Sequence, residues 1–225
     1  ECEQQPSSPF VVVEPGKWFL DCPGGLKVAS GLVFQGGQVV TASEIDVQGG
    51  CFAVNVPLAS ASCGDISIAS GSDPVTSNPP PTGDAILYLQ SGDLIKDAQA
   101  SVYLPQTFTF LGDGATSLGA GDGALLWTSP LASTCASGDL SCQYAQFFKL
   151  TLWSESNRLH EIGGQAFLGL RGVLFTPNAE SVFTGQAGQN QTRAQFWTNT
   201  LEVKGQGTLV MDVDPQAAIP RPFAG

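Results

Sequence analysis

The side chains best equipped for chemistry in this chain are six cysteines: Cys2, Cys22, Cys51, Cys63, Cys135 and Cys142. The set is even, and its spacing favours pairing of sequence neighbours. That pairs Cys2 with Cys22, Cys51 with Cys63, and Cys135 with Cys142 around the polar loop STCASGDLSCQ. No CxxC is present, which removes the usual route to a reactive redox thiol. Zinc is disfavoured too, because the cysteines are too dispersed for paired ligand knuckles and His160 is the one histidine. Structural disulfides point to an oxidising compartment, extracellular or at the cell surface.

Carboxylates come next. Asp84, Asp93, Asp97, Asp113, Asp122 and Asp139 are candidates for acid–base or cation-assisted cleavage of polysaccharides. Asp113 and Asp122 stand in a repeated Gly-Asp-Gly context, GDGATSLGAGDG, where glycines on both sides let carbonyls and a carboxylate converge on Ca²⁺. The same tripeptide is ordinary turn sequence, since Asp bonds its own backbone and Gly accepts positive φ. Ca²⁺ is the one cofactor the sequence raises. No GxSxG is present, and His160, in the polar run SNRLHEI, reads as an exposed surface histidine rather than a triad base. Cleaving a polyanion also needs local positive charge, which is scarce here. The expectation is therefore a non-enzyme. Trp18, Trp127, Trp153 and Trp197 either pack in the core or, where they face solvent, suit stacking on sugar rings.

The formal net charge is −11, with nine basic residues scattered from Lys17 to Arg221. Nucleic acid and anionic membrane surfaces both require clustered Lys and Arg, so neither is an expected partner. Other protein subunits, including further copies of the chain, and glycans remain as partners. Asn190-Gln191-Thr192 is an N-glycosylation sequon, with a chance match as the plainer reading. No apolar run reaches eighteen residues, and a signal or membrane anchor is expected to have been removed upstream of Glu1.

The elements that must position these groups are β-strands. Charged residues make up 13% of the chain, against 27 glycines and 15 prolines, so the solvent faces of helices cannot be furnished. From Phe10 onward the bursts VVV, WFL, LKV, LVF, VVT, IDV and FAV recur every six to eight residues, punctuated by Gly-Gly at 24–25, 36–37 and 49–50. Short bursts with glycine turns predict strands. Two or three bursts per coil fit the stacked repeats of a solenoid. The predicted fold is all-β, a right-handed parallel β-helix in one domain over 1–225, with two packed β-sandwiches as the alternative. The Pro-rich stretch 70–84 and the Cys135–Cys142 loop are read as insertions projecting from it, and 215–225 as a Pro-rich tail. FFKLTLW reads as an alternating strand with Phe148, Leu150 and Leu152 on one face, and 154–163 as the one helix-compatible stretch. Asn178 is expected to face inward, in the manner of asparagines that stack into ladders inside solenoids.

GVLFTPNAESVFTGQAG followed by QFWTNTLEVKGQGTLVMD resembles the β-helical ectodomains of bacterial pilus-assembly-associated proteins, of the tight-adherence (Flp-type) and PilX-like kinds. The matching rungs are Gly172 to Ala179, Phe183 to Gly185, and Gln195 to Gly207, and EPGKWFLDCPGGLKVASG resembles the opening rung. The resemblance implies an exported, surface-associated β-helix, with no catalytic residues to carry over. It implies a structural or adhesive role as a pilus-associated, surface-layer or filament subunit. The alternative is an extracellular carbohydrate-binding or polysaccharide-cleaving β-helix.

Overall fold

A computed structural model describes residues 2–58, 62–69, 76–119, 121–131, 149–164, 167–185 and 190–205. Among these residues seventeen strands form one continuous parallel sheet that winds into a parallel β-helix, and only a two-stranded pair outside it is antiparallel. The parallel ladders rule out the sandwich alternative, whose sheets are antiparallel.

Each coil of the winding contributes a strand to three faces in turn. Face 1 stacks β1 (Val11–Val13), β4 (Leu32–Phe34), β7 (Cys51–Val54), β12 (Ser101–Leu104) and β15 (Leu125–Thr128). Face 2 stacks β2 (Gly16–Leu20), β5 (Gly37–Thr41), β10 (Ala85–Leu89), β13 (Thr107–Leu111) and β16 (Leu150–Ser154). Face 3 stacks β3 (Leu26–Val28), β6 (Ile45–Val47), β11 (Leu94–Lys96), β14 (Thr116–Leu118) and β17 (His160–Gly164). The last two strands, β18 (Leu168–Gly185) and β19 (Asn190–Lys204), each run around all three faces.

The coil length is legible in the register. Leu26 pairs with Ile45, 19 residues on, and Val102 with Leu125, 23 on. Within each strand the alternation sends one set of side chains inward: in β10, Ala85, Leu87 and Leu89 are buried while Ile86 and Tyr88 face out. The inward set fuses into a single interior running the length of the solenoid, with Phe34, Phe52, Trp127 and Phe183 among its largest members. The Trp127 indole N–H donates to Thr109 Oγ1 at 3.0 Å, so its polar edge is satisfied there.

Glycines sit where coils touch at the corners. Gly37 has φ +94°, and a Cβ there would overlap the Gly16 carbonyl one coil away, so no other residue fits. The three Gly-Gly pairs fall at three different corners, and so mark successive bends rather than successive coils.

Two insertions leave the corner between faces 1 and 2. The first spans 55–84, longer than the Pro-rich stretch expected from sequence. It holds a 3-10 turn at Cys63–Asp65 and the antiparallel pair β8 (Ser67–Ile68) and β9 (Ser77–Asn78). The second lies between β15 and β16; Cys135, Cys142 and Asp139 belong to it and fall outside the described residues, as does the tail 215–225. Cys2–Cys22 and Cys51–Cys63 are disulfides, as neighbour pairing predicts.

Two local expectations are corrected. Residues 154–163 form no helix: 155–159 are irregular and β17 begins at His160, because the segment must rejoin face 3 beside β14. FFKLTLW does not keep its alternation. A register shift between Leu150 and Leu152 turns Leu150 to the outside of face 2 and leaves Leu152 in the interior. Phe148 is outside the described residues.

Candidate contact surface

The carboxylates singled out from sequence do not converge. Asp84, at the corner of faces 1 and 2, accepts the Leu131 backbone N–H at 2.9 Å. Asp113 and Asp122 are both exposed and stand at opposite ends of β14, on different corners. Among the described residues no three His, Cys, Asp or Glu side chains gather to hold a metal ion. The Gly-Asp-Gly motifs have a different use. A Cβ at Gly112 or Gly114 would overlap the carbonyl of Gln90 or Gly92, and one at Gly121 or Gly123 that of Ala98 or Ala100. The glycines let one coil press on the next while each Asp turns to water.

Asp93 does structural work. Its carboxylate accepts the Ala115 N–H at 2.9 Å and takes both Arg158 guanidinium nitrogens at 2.6 Å, joining three successive coils at the corner of faces 2 and 3. Glu44 lies beside this clamp, and its carboxyl is raised from the ordinary range by burial and by the neighbouring Asp93 and Asp46. Lys96 is buried inside the solenoid with its ammonium lowered by desolvation, while the exposed Asp97 and Asp122 pull it the other way.

His160 is a correction. It is fully buried rather than exposed, because β17 alternation turns it inward, in register with Thr116 and Ser181. Its Nδ1 accepts the Thr116 backbone N–H at 3.3 Å, and burial lowers its pKa to about 4. It is thus a neutral interior histidine, walled off from any substrate. Asn178 is also corrected: it is exposed, and its amide donates outward to the Glu155 carbonyl at 3.3 Å. The interior role belongs to Asn55, which is buried with φ +70°. Its amide donates to the carbonyls of Gly83 at 2.7 Å and Pro105 at 3.0 Å, tying the first insertion to the coil above. An asparagine ending the burst CFAVN carried that signal, since Asn tolerates the left-handed region that a sharp corner needs. Asn190 opens β19, its side chain lies outside the described residues, and Thr192 of the same sequon is buried.

The three faces differ outside. Face 3 is mostly polar, with Lys27, Asp46, Ser117, Glu161 and Glu202 in one outward row that Ile95 and Val182 interrupt. Face 1 is apolar but roofed. Val33, Ala53, Tyr103 and Leu126 pack beneath Val56, Leu58 and Ile66 of the first insertion, which Cys51–Cys63 pins down. Face 2 carries an aromatic row. Phe19, Val40, Tyr88, Phe110, Trp153, Phe175 and Trp197 occupy one register position on successive coils. Tyr88 stacks on Phe110 at 4.9 Å, and the rings continue through Trp153, Phe175 and Trp197 at centroid spacings of 6.2, 5.7 and 6.1 Å. Phe19 is 64% exposed and Tyr88 36%, while Phe110, Trp153, Phe175 and Trp197 are half-buried.

The molecule is thus a disulfide-bonded parallel β-helix whose most distinctive outer feature, among the described residues, is an aromatic row on face 2. The chain matches no model of a known family, no characterised protein and no solved structure.

Proposed function

We propose that this protein is a non-enzymatic structural or adhesive subunit of the cell exterior, of the pilus-associated, surface-layer or filament kind. The observation that carries the reading is the aromatic row on face 2: rings in line over five consecutive coils, partly open to water. Half-exposed rings in one continuous line make a surface that works by contact area. The dispersal of the carboxylates and the burial of His160 support contact rather than turnover. Two disulfides fit an oxidising exterior compartment, and no helix among the described residues is long and apolar enough to cross a membrane. The stretches that resemble pilus-associated ectodomains fall on β2–β3, β18 and β19, which are rungs of the solenoid.

A second reading, carbohydrate binding, is favoured by the same rings, since pyranose faces stack on Trp and Tyr. One experiment separates the two. Wild type and the Trp153→Ser/Trp197→Ser variant are compared for retention on immobilised cell-envelope material and on an uncharged polysaccharide. The adhesive reading expects envelope retention to fall about tenfold in the variant, as for loss of buried aromatic contacts. Retention on the purified polysaccharide alone would favour the carbohydrate reading, and release of sugar fragments would overturn both non-enzymatic readings.

A further inference from the structure

We infer that the aromatic row and the corner of faces 2 and 3 form one docking strip, whose occupant is a basic amphipathic helix of a partner protein. The inference rests on the contact role proposed for the row and names the chemistry of what it contacts.

The corner of faces 2 and 3 carries one carboxylate on each of six successive coils: Asp21, Glu44, Asp93, Asp113, Glu155 and Glu180. At the corner of faces 3 and 1 the described residues hold only Asp97 and Asp122 as acids. The acidic line borders the rings directly. The row occupies the register position of Phe19 and Trp153, and Asp21 and Glu155 follow these two residues later, about 7 Å along an extended chain. Successive coils are about 4.8 Å apart, so the line from Asp21 to Glu180 is about 24 Å long.

The fold makes little use of these charges. Asp93 alone joins coils, through Arg158 and the Ala115 N–H. Asp21, Asp113 and Glu155 make no side-chain hydrogen bond or ion pair among the described residues, and all three are exposed. Like charges stacked on neighbouring strands repel. The raised carboxyl of Glu44, crowded by Asp93 and Asp46, reflects that repulsion. A cation laid along the corner relieves it, while the rings beside it lose water to an apolar surface.

The occupant must therefore be apolar on one stripe and cationic on the next, over about 24 Å. A helix of about sixteen residues with adjacent leucine-like and lysine-like stripes has that length and pattern. A second copy of the chain fits poorly. Among its described basic residues Lys96 and Arg171 are buried, and Arg158 is already held by Asp93. Lys27 and Lys204 pair with Glu3 and Glu202, and Lys17 stands apart on the first coil. That leaves the half-buried Lys149 and Arg193 against six carboxylates.

The test uses the full chain and a synthetic probe, a helical peptide of about eighteen residues with a leucine stripe beside a lysine stripe. Fluorescence anisotropy should show binding at about 0.01 M salt that weakens at least about tenfold towards 1 M, as the screening length falls from about 30 to about 3 Å. Asp113→Asn/Glu155→Gln/Glu180→Gln should weaken binding at least about tenfold with circular dichroism and unfolding midpoint unchanged, and Trp153→Ser/Trp197→Ser should weaken it as well. No binding of the probe, or binding that survives the triple neutralisation, would overturn the inference. So would equal binding of a peptide with glutamates in place of the lysines, or of plain oligolysine. Wild-type dimers abolished by Trp153→Ser/Trp197→Ser would give the strip to a second copy and overturn it too. Retention on cell-envelope material separates this inference from the reading beneath it. Retention lost in the tryptophan variant but kept in the triple variant would overturn the cationic partner and leave the contact role standing; retention kept in both would overturn both.

Discussion

Faces 1 and 2 of the solenoid bear the same kind of outward residue and are finished differently. On face 1 Val33, Ala53, Tyr103 and Leu126 are covered by an insertion of the chain itself, and Tyr103 and Leu126 are 7% and 0% exposed. On face 2 the rings cover one another along the row but stay partly open to solvent. An apolar outer row needs a cover, and face 1 has its cover built in. The difference is the ground for the contact role proposed for the face 2 row, since the same fold holds the means to hide such a row.

The contrast is broken most severely by removing the pin of the roof. Cys51→Ala/Cys63→Ala should cost about 3 kcal/mol from the disulfide alone, in the chain-entropy account for a loop of this size. Leu58 and Ile66, 4% and 5% exposed, would then be free to lift and would add to that loss. Denaturant unfolding should show the drop, together with new binding of an apolar dye to face 1. Unchanged stability and no dye binding would mean that the roof is held by other contacts and that the two faces are less different than described.

A matched pair of tyrosines sharpens the same point. Tyr103→Ala under the roof should cost about 2–3 kcal/mol, because a nearly buried ring leaves a cavity. Tyr88→Ala in the open row should cost about 1 kcal/mol, the share of one stacked ring pair. Equal losses in urea unfolding would show that the face 2 row is structural cement rather than a surface held ready.

The sequence announced the winding far better than the surfaces. The seven bursts from VVV to FAV became β1 to β7, because each is too short for a helix and is bounded by the Gly, Pro or polar residues that a corner requires. Two of the three proposed disulfides were equally legible from spacing. What could not be read was direction. His160 follows a polar run, yet strand alternation turns it inward, and no local pattern distinguishes SNRLHEI as loop-then-strand from surface segment. Trp153 and Trp197 could not be told from Trp127 by composition. Whether a tryptophan faces in or out depends on register with strands 20 or more residues away in the chain, and a single shifted residue, as at Leu150, reverses it. The aromatic row is a product of stacking, and stacking is invisible until the coil length is known to the residue.

The interior behind the corner of faces 2 and 3 supplies a test by pH. There the core turns polar, with Thr116, His160, Ser154, Thr176 and Ser181 all buried, and Asp93 and Arg158 clamp the outside of the same corner. His160 has a folded pKa of about 4 against 6.5 for the free side chain. The unfolded chain therefore takes up the proton first as pH falls, so stability is complete above about pH 6.5 and declines through the window down to about pH 4. At pH 5 the loss should be about 2 kcal/mol from this group. His160→Gln keeps an acceptor for the Thr116 N–H and cannot titrate, so its stability should be flat across the part of that window set by the histidine. Because the chain has a single histidine, its imidazole proton resonance reports the titration directly. A midpoint near 6.5 in the folded protein would place His160 in contact with water, and the corner would then be as open as the aromatic row beside it.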